Sequence, residues 1–131
     1  METIELRGRR VHVAGSDPRG RWSRERKRPA ELAVDDADLS ILLSHYPQAI
    51  DRLPGGAFDL VLAGHMHDGQ ICLPYPGGKL RLAHLGARYT RGLYRLPATT
   101  MHVSAGLGTT FVPLRFAARP EATELVLARG L

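Results

Sequence analysis

Three histidines carry the most open chemistry in this sequence: His45, at the end of the run ILLSH, and the pair His65 and His67 inside GHMHDGQ, residues 64–70. Neutral imidazole is a good ligand for divalent ions such as Zn, Mn, Fe and Ni. Side chains at i and i+2 of an extended backbone leave on the same side, so His65 and His67 are expected to face one crevice. Gly64 and Gly69 flank the pair and permit sharp turns on either side of it. Spacing alone leaves a second reading open, in which the two imidazoles cap a strand end and hydrogen-bond to nearby backbone. Three protein ligands would leave coordination positions free, as in a catalytic rather than a structural site. A pair of ions would also need bridging carboxylates. The nearest in sequence are Asp17 and Asp68, and neither has a compelling position. Gln70 could orient a ligating imidazole through a hydrogen bond, or could simply belong to the turn.

Strands must deliver these histidines. DLSILLSH, residues 38–45, and FDLVLAG, residues 58–64, have continuous apolar centres, the pattern of strands buried on both faces. Residues 45–57 separate them, long enough for a compact crossover between parallel neighbours. Pro47 suits the first turn of a short helical segment over 47–53, and PGG at 54–56 stops it. In open α/β sheets, sites form beyond the carboxyl ends of the strands, where all three histidines fall. Upstream, TIELR, a turn at GR and RVHVAG form an expected hairpin. Downstream, short strands are expected in QICLPY, GKLRLAHLG, RGLYRL, TTMHVSAG, TFVPLRF and TELVLAR, with a hairpin across RLPATT. The expected class is α/β, rich in β structure and poor in helix, in a single domain over residues 1–131.

The composition sets limits on function. A chain of 131 residues, 44% hydrophobic, fits one domain with one core. Its longest apolar runs fall far short of the roughly 18 to 20 residues of a membrane-spanning helix, and METIELRGRR lacks the apolar centre of a secretory signal. A place in the cytoplasm or at the cytoplasmic face of the membrane is therefore expected. Cys72 stands alone, so no internal disulfide and no Cys-based zinc ribbon can form, and it is expected to be a small core residue. The net charge of +5 is unevenly spread: residues 1–28 hold nine Arg or Lys and four acids, while residues 29–131 hold nine of each. The excess centres on RGRWSRERKRP, residues 19–29, expected to be a solvated basic loop, with a phosphate-contacting tail as the alternative. The neutral body makes nucleic acid an unexpected partner. His12, His84 and His102 are expected in structural or surface roles, and Arg88, Arg91 and Arg115 are candidate phosphate contacts.

ILLSHYP followed by DLVLAGHMHDGQICLP resembles the C-terminal half of the calcineurin-like metallophosphoesterases. It is most similar to the bacterial branch of phosphodiesterases and UDP-2,3-diacylglucosamine pyrophosphatase-like enzymes, whose run here is Gly-His-Thr-His-Gly-Gly-Gln. The similarity continues through LGARYTRGLYRL, MHVSAGLGTT, PLRF and RPEATELVL. The resemblance implies a four-layer α/β/β/α sandwich, of which this chain would be the β-rich half. It also implies a dinuclear centre of divalent ions (Mn, Fe, Zn or Ni) and hydrolysis of a phosphodiester or phosphomonoester by metal-activated water. By motif position His45 and His65 would bind one ion and His67 the other.

The family's Asp-x-His, Gly-Asp and Gly-Asn-His motifs, which supply a bridging carboxylate, an Asn ligand and a leaving-group histidine, do not occur in this sequence. GSDP, residues 15–18, corresponds better to a later strand end that holds no metal. The chain is therefore expected to be an incomplete catalytic half, completed by an N-terminal half or by a second copy across an uncovered sheet face. The alternative is a non-catalytic metal-binding or partner-binding module. Met66 and Asp68 replace the family's Thr and Gly. Asp68 is expected to face solvent in the loop, with a compensating ligand role as its alternative.

Overall fold

The computed structural model describes residues 1–16 and 29–128. Asp17 and, apart from Pro29, the expected basic loop lie outside the described residues. Eight strands are present: β1 Glu2–Leu6, β2 Arg9–Ser16, β3 Leu39–Ser44, β4 Leu60–Ala63, β5 Cys72–Tyr75, β6 Gly78–Arg81, β7 Gly92–Leu96 and β8 Thr99–Val103. Six form one sheet in the order β1-β2-β3-β4-β8-β7, and β5 pairs with β6 in a separate hairpin. The four central strands are mutually parallel, while β1 and β7 close the edges as antiparallel hairpin partners.

Local chemistry accounts for most of these elements. Arg7 and Gly8 both have positive φ, 51° and 71°, the geometry of a type I′ hairpin turn. The turn thus falls one residue before the expected GR. Across the second hairpin Tyr94 sits opposite Met101, as the RLPATT turn requires. The crossover from β3 to β4 is the 3₁₀ segment Pro47–Arg52, with its proline in the first turn. Helical structure among the described residues is confined to such 3₁₀ turns. The result is a sheet-rich, helix-poor small domain, compatible with the metallophosphoesterase fold.

The core lies against one face of the sheet. Ala14, Leu42, Val61 and Met101 are register partners across β2, β3, β4 and β8, and all four are fully buried. Phe58, Ile50, Leu32 and Met66 pack over them. Each large apolar side chain buried there contributes about 1.5–3 kcal/mol. The other face is only partly covered: Leu43 of β3 and Leu93 of β7 are 45% and 50% exposed. So β3, expected to be buried on both faces, alternates between buried and accessible positions. Its continuous apolar run reflects one packed face and one open apolar face.

Two expected strands did not form among the described residues. Over TFVPLRF the only ladder contact is an isolated bridge between Phe116 and Ile71, and Pro113 within it removes a ladder donor. TELVLAR has no assigned strand up to residue 128. No helix among the described residues is long and apolar enough to cross a membrane.

Candidate metal centre

Strands β3 and β4 lie side by side in parallel, with Ser44 paired to Ala63. Their carboxyl ends therefore bring His45, one residue after Ser44, and His65, two residues after Ala63, to the same end of the sheet. His45 Nε2 lies 2.8 Å from His65 Nδ1. The ring centroids are 4.6 Å apart, and the Tyr46 ring meets both edge-on at 4.7 and 4.5 Å. Two nitrogens bound at 2.0–2.1 Å to one tetrahedral ion sit roughly 3.3 Å apart. The observed pair thus needs only a few tenths of an ångström of opening to share an ion; as it stands, one ring donates a hydrogen bond to the other. Burial, joined by the neighbouring His45, His84 and His67, lowers the His65 pKa and favours the neutral ring that a ligand must present.

Beyond His65 the backbone is not extended. His65, His67, Asp68 and Gln70 have φ of 68°, 47°, 52° and 54°, and His67–Gly69 form a 3₁₀ turn. The expectation that i and i+2 leave on one side does not apply to this geometry. Met66 instead turns into the core, 1% exposed, between the two histidines. His67 Nδ1 has its own partners, Gln70 Oε1 at 3.3 Å and Thr110 Oγ1 at 3.4 Å. With Nδ1–H donating to Gln70, the Nε2 lone pair of His67 is left free. Gln70 is itself fixed: its amide donates to the carbonyls of Thr110 and Val112 at 2.9 Å and accepts from the Thr110 N–H at 2.7 Å.

Asp68 is fully buried, which corrects the expectation of a solvent-facing loop residue. Its carboxylate pairs with Lys79 and, at 3.0 Å, with Arg81, both on β6, while Arg91 approaches to 3.6 Å. Burial pushes its pKa up, but hydrogen bonds from Lys79 and Arg81 outweigh that and hold it below the ordinary value. A carboxylate committed to these cations is not disposed as a metal ligand. His84 is the residue that sequence spacing missed: its ring centroid lies 5.1 Å from that of His65. The β5–β6 hairpin folds the chain back between them, and no spacing rule signals that return. An open cavity of about 370 Å³ adjoins these rings, and its lining includes His65, His67, His84, Ile71, Leu82 and Phe111.

The remaining candidates have partners within the fold. His12 is buried, with Nε2 2.8 Å from the Leu32 carbonyl oxygen and Nδ1 3.0 Å from Thr3 Oγ1. His102 lies 3.8 Å from Glu121, and Cys72 is buried with its thiol donating to the Asp68 carbonyl. Arg115 donates to the carbonyls of Ala105, Gly108, His67 and Ala118, and Arg91 grips Glu121 at 2.6 Å. Of the three arginines considered for phosphate, Arg88 is 77% exposed and sits over the Tyr89 ring. Among the described residues, no three His, Cys, Asp or Glu side chains converge closely enough to hold an ion by themselves. His45 and His65 therefore fit as half of one coordination shell, and a bridging carboxylate would have to come from elsewhere.

Similar proteins carry the family's name. The chain is 42% identical over 94 residues to the uncharacterized metallophosphoesterase YkuE of Bacillus subtilis, covering 72% of this chain and 32% of that protein. An uncharacterized metallophosphoesterase of Helicobacter pylori is 41% identical over 95 residues, covering 71% and 24%. A transmembrane protein with metallophosphoesterase domain from Danio rerio is 40% identical over 95 residues, covering 69% and 20%. The chain thus spans a third or less of the length of these relatives. No family model and no solved structure matches the chain. The matches fall in the C-terminal region of the metallophosphoesterases, and the chain belongs to the calcineurin-like metallophosphoesterase family.

Proposed function

We propose that this chain supplies the histidine side of a dinuclear divalent-metal centre that hydrolyses phosphoesters. His45 and His65 hold one ion, His67 holds the other, and Gln70 orients the His67 ring. The observation that carries the reading is the 2.8 Å approach of His45 Nε2 and His65 Nδ1 at the ends of adjacent parallel strands. Bound divalent ions supply Lewis-acid activation of water and neutralise charge on the phosphoryl oxygens. This chain's own residues hold and orient: Met66 anchors the loop in the core, Gln70 fixes the His67 tautomer, and Tyr46 braces the His45 and His65 rings.

The missing ligands, a bridging carboxylate among them, come in this reading from an N-terminal half or from a second copy of the chain. The accessible apolar sheet face around Leu43 and Leu93 supports a four-layer sandwich in which that partner forms the facing layers. The test is turnover of bis(p-nitrophenyl) phosphate with Mn²⁺, by the chain alone and fused to the N-terminal portion of the Bacillus subtilis relative. The fusion should turn over, and His65→Ala and His67→Ala should each lower the rate at least about tenfold. A fusion whose turnover ignores both substitutions overturns the catalytic reading.

A second reading, a non-catalytic metal-binding or partner-binding module, is favoured by the lack of a third converging ligand among the described residues. It predicts at most one weakly held ion per chain in the fusion, against two tight equivalents for the catalytic reading.

A further inference from the structure

The loop that bears His65 and His67 is backbone-strained. Four of its non-glycine residues, His65, His67, Asp68 and Gln70, have positive φ, a region that L-residues adopt only under strain. Such a conformation persists only where the surroundings over-determine it. Besides the Gln70 bonds to Thr110 and Val112, a second clamp acts from outside the loop. The buried Asp68 carboxylate receives Lys79 Nζ and Arg81 Nε, both from β6. The fit is close on the next residue too: a Cβ on Gly69 would lie 2.6 Å from Arg81 Cβ and 2.8 Å from its Cγ. The loop is therefore seated directly on β6, and its amides close back on it, Gly69 N–H to Met66 O at 2.8 Å and Gln70 N–H to His67 O at 2.9 Å.

We propose that Asp68 is a positioning residue: through Lys79 and Arg81 it locks the 67–70 turn onto the β5–β6 hairpin and so fixes the direction of the His67 imidazole. Where the resembling run has glycine, which adopts positive φ freely, this chain has a residue that strains the backbone but adds an ionic anchor. The anchor spans 11 and 13 residues of sequence. The proposal concerns the geometry of His67 and rests on the metal reading only for its consequence.

The test therefore reads His67 without metal. In the ¹⁵N-labelled chain, the ring resonances of His67 and the hydrogen exchange of the Gly69 and Gln70 amides are compared among Asp68→Asn, Asp68→Gly, Lys79→Met and Arg81→Met, with Arg95→Met on β7 as control. Lys79 and Arg81 are partly exposed, 26% and 33%, so their truncation leaves the core intact. Clamp variants should shift the His67 ring and speed exchange at Gly69 and Gln70 by about tenfold or more, with amides of β2, β3 and β4 and the control unchanged. Asp68→Gly separates strain from anchoring: it should loosen the turn as Asp68→Asn does, although glycine removes the φ penalty.

Unchanged His67 resonances in these variants overturn the proposal. So does a rise in exchange spread evenly over the sheet, which would mark a general structural role. Divalent-ion affinity measured on the same variants then reports separately. A fusion to the N-terminal portion of the Bacillus subtilis relative that binds no ion overturns the metal reading and leaves the positioning result standing.

Discussion

His45 Nε2 and His65 Nδ1 face each other at 2.8 Å because Ser44 and Ala63, just upstream of them, are register partners in adjacent parallel strands. A one-residue slip of β4 against β3 would send the alternating side chains of β4 to the wrong faces. The geometry of the histidine pair therefore depends on the packing that fixes this register.

That packing is testable at Phe58, fully buried just before β4 and stacked near His12 at 6.5 Å between ring centroids. Phe58→Ala should lower stability by about 3–5 kcal/mol, read as a shift in the urea midpoint with little change in slope. A loss below 1 kcal/mol would mean that Phe58 does not sit in a packed core.

The close seat of the loop on β6 predicts an asymmetry between two glycines. Gly69 and Gly77 both have positive φ, 84° and 87°, but an added Cβ meets Arg81 at the first and nothing within 4 Å at the second. Gly77→Ala should cost about 1–2 kcal/mol from backbone strain alone. Gly69→Ala should cost clearly more, and equal losses in thermal melts would contradict the contact.

Much of this was legible in sequence, for identifiable reasons. The runs around Leu42 and Val61 marked β3 and β4, Pro47 marked the crossover, and the strand-end rule brought His45 and His65 together. What escaped depends on contacts that no local pattern encodes. Asp68 looked like a loop residue because its partners, Lys79 and Arg81, arrive only when β6 folds back. His84 reaches His65 by the same return. The apolar run in TELVLAR gave no strand among the described residues, because a strand needs a neighbouring edge as well as a pattern.

Acid should weaken the fold through carboxylates that are anchored in it. The Asp38 carboxyl lies below its ordinary range because the Arg10 backbone N–H and the Arg9 guanidinium bond to it. Glu121 is also lowered: burial pushes it up, but Thr123 and Arg91 prevail. A depressed folded-state pKa gives stability that is complete above the unfolded value, about 3.9–4.3, and is lost as pH falls through the folded value. The carboxylates' contribution to the melting temperature should therefore be constant between about pH 5 and 7 and be lost toward pH 3. Asp38→Asn and Glu121→Gln should each flatten that fall; an unchanged acid limb in both would contradict the assignment.

The central claim is that His45 and His65 hold one divalent ion between them. Titration with Co²⁺ of the chain fused to the N-terminal portion of the Bacillus subtilis relative, followed by ligand-field absorption, tests it most directly. The account predicts binding that His45→Ala and His65→Ala each weaken at least about tenfold, while His102→Gln leaves it unchanged. Binding that survives both alanine substitutions at wild-type affinity would contradict it.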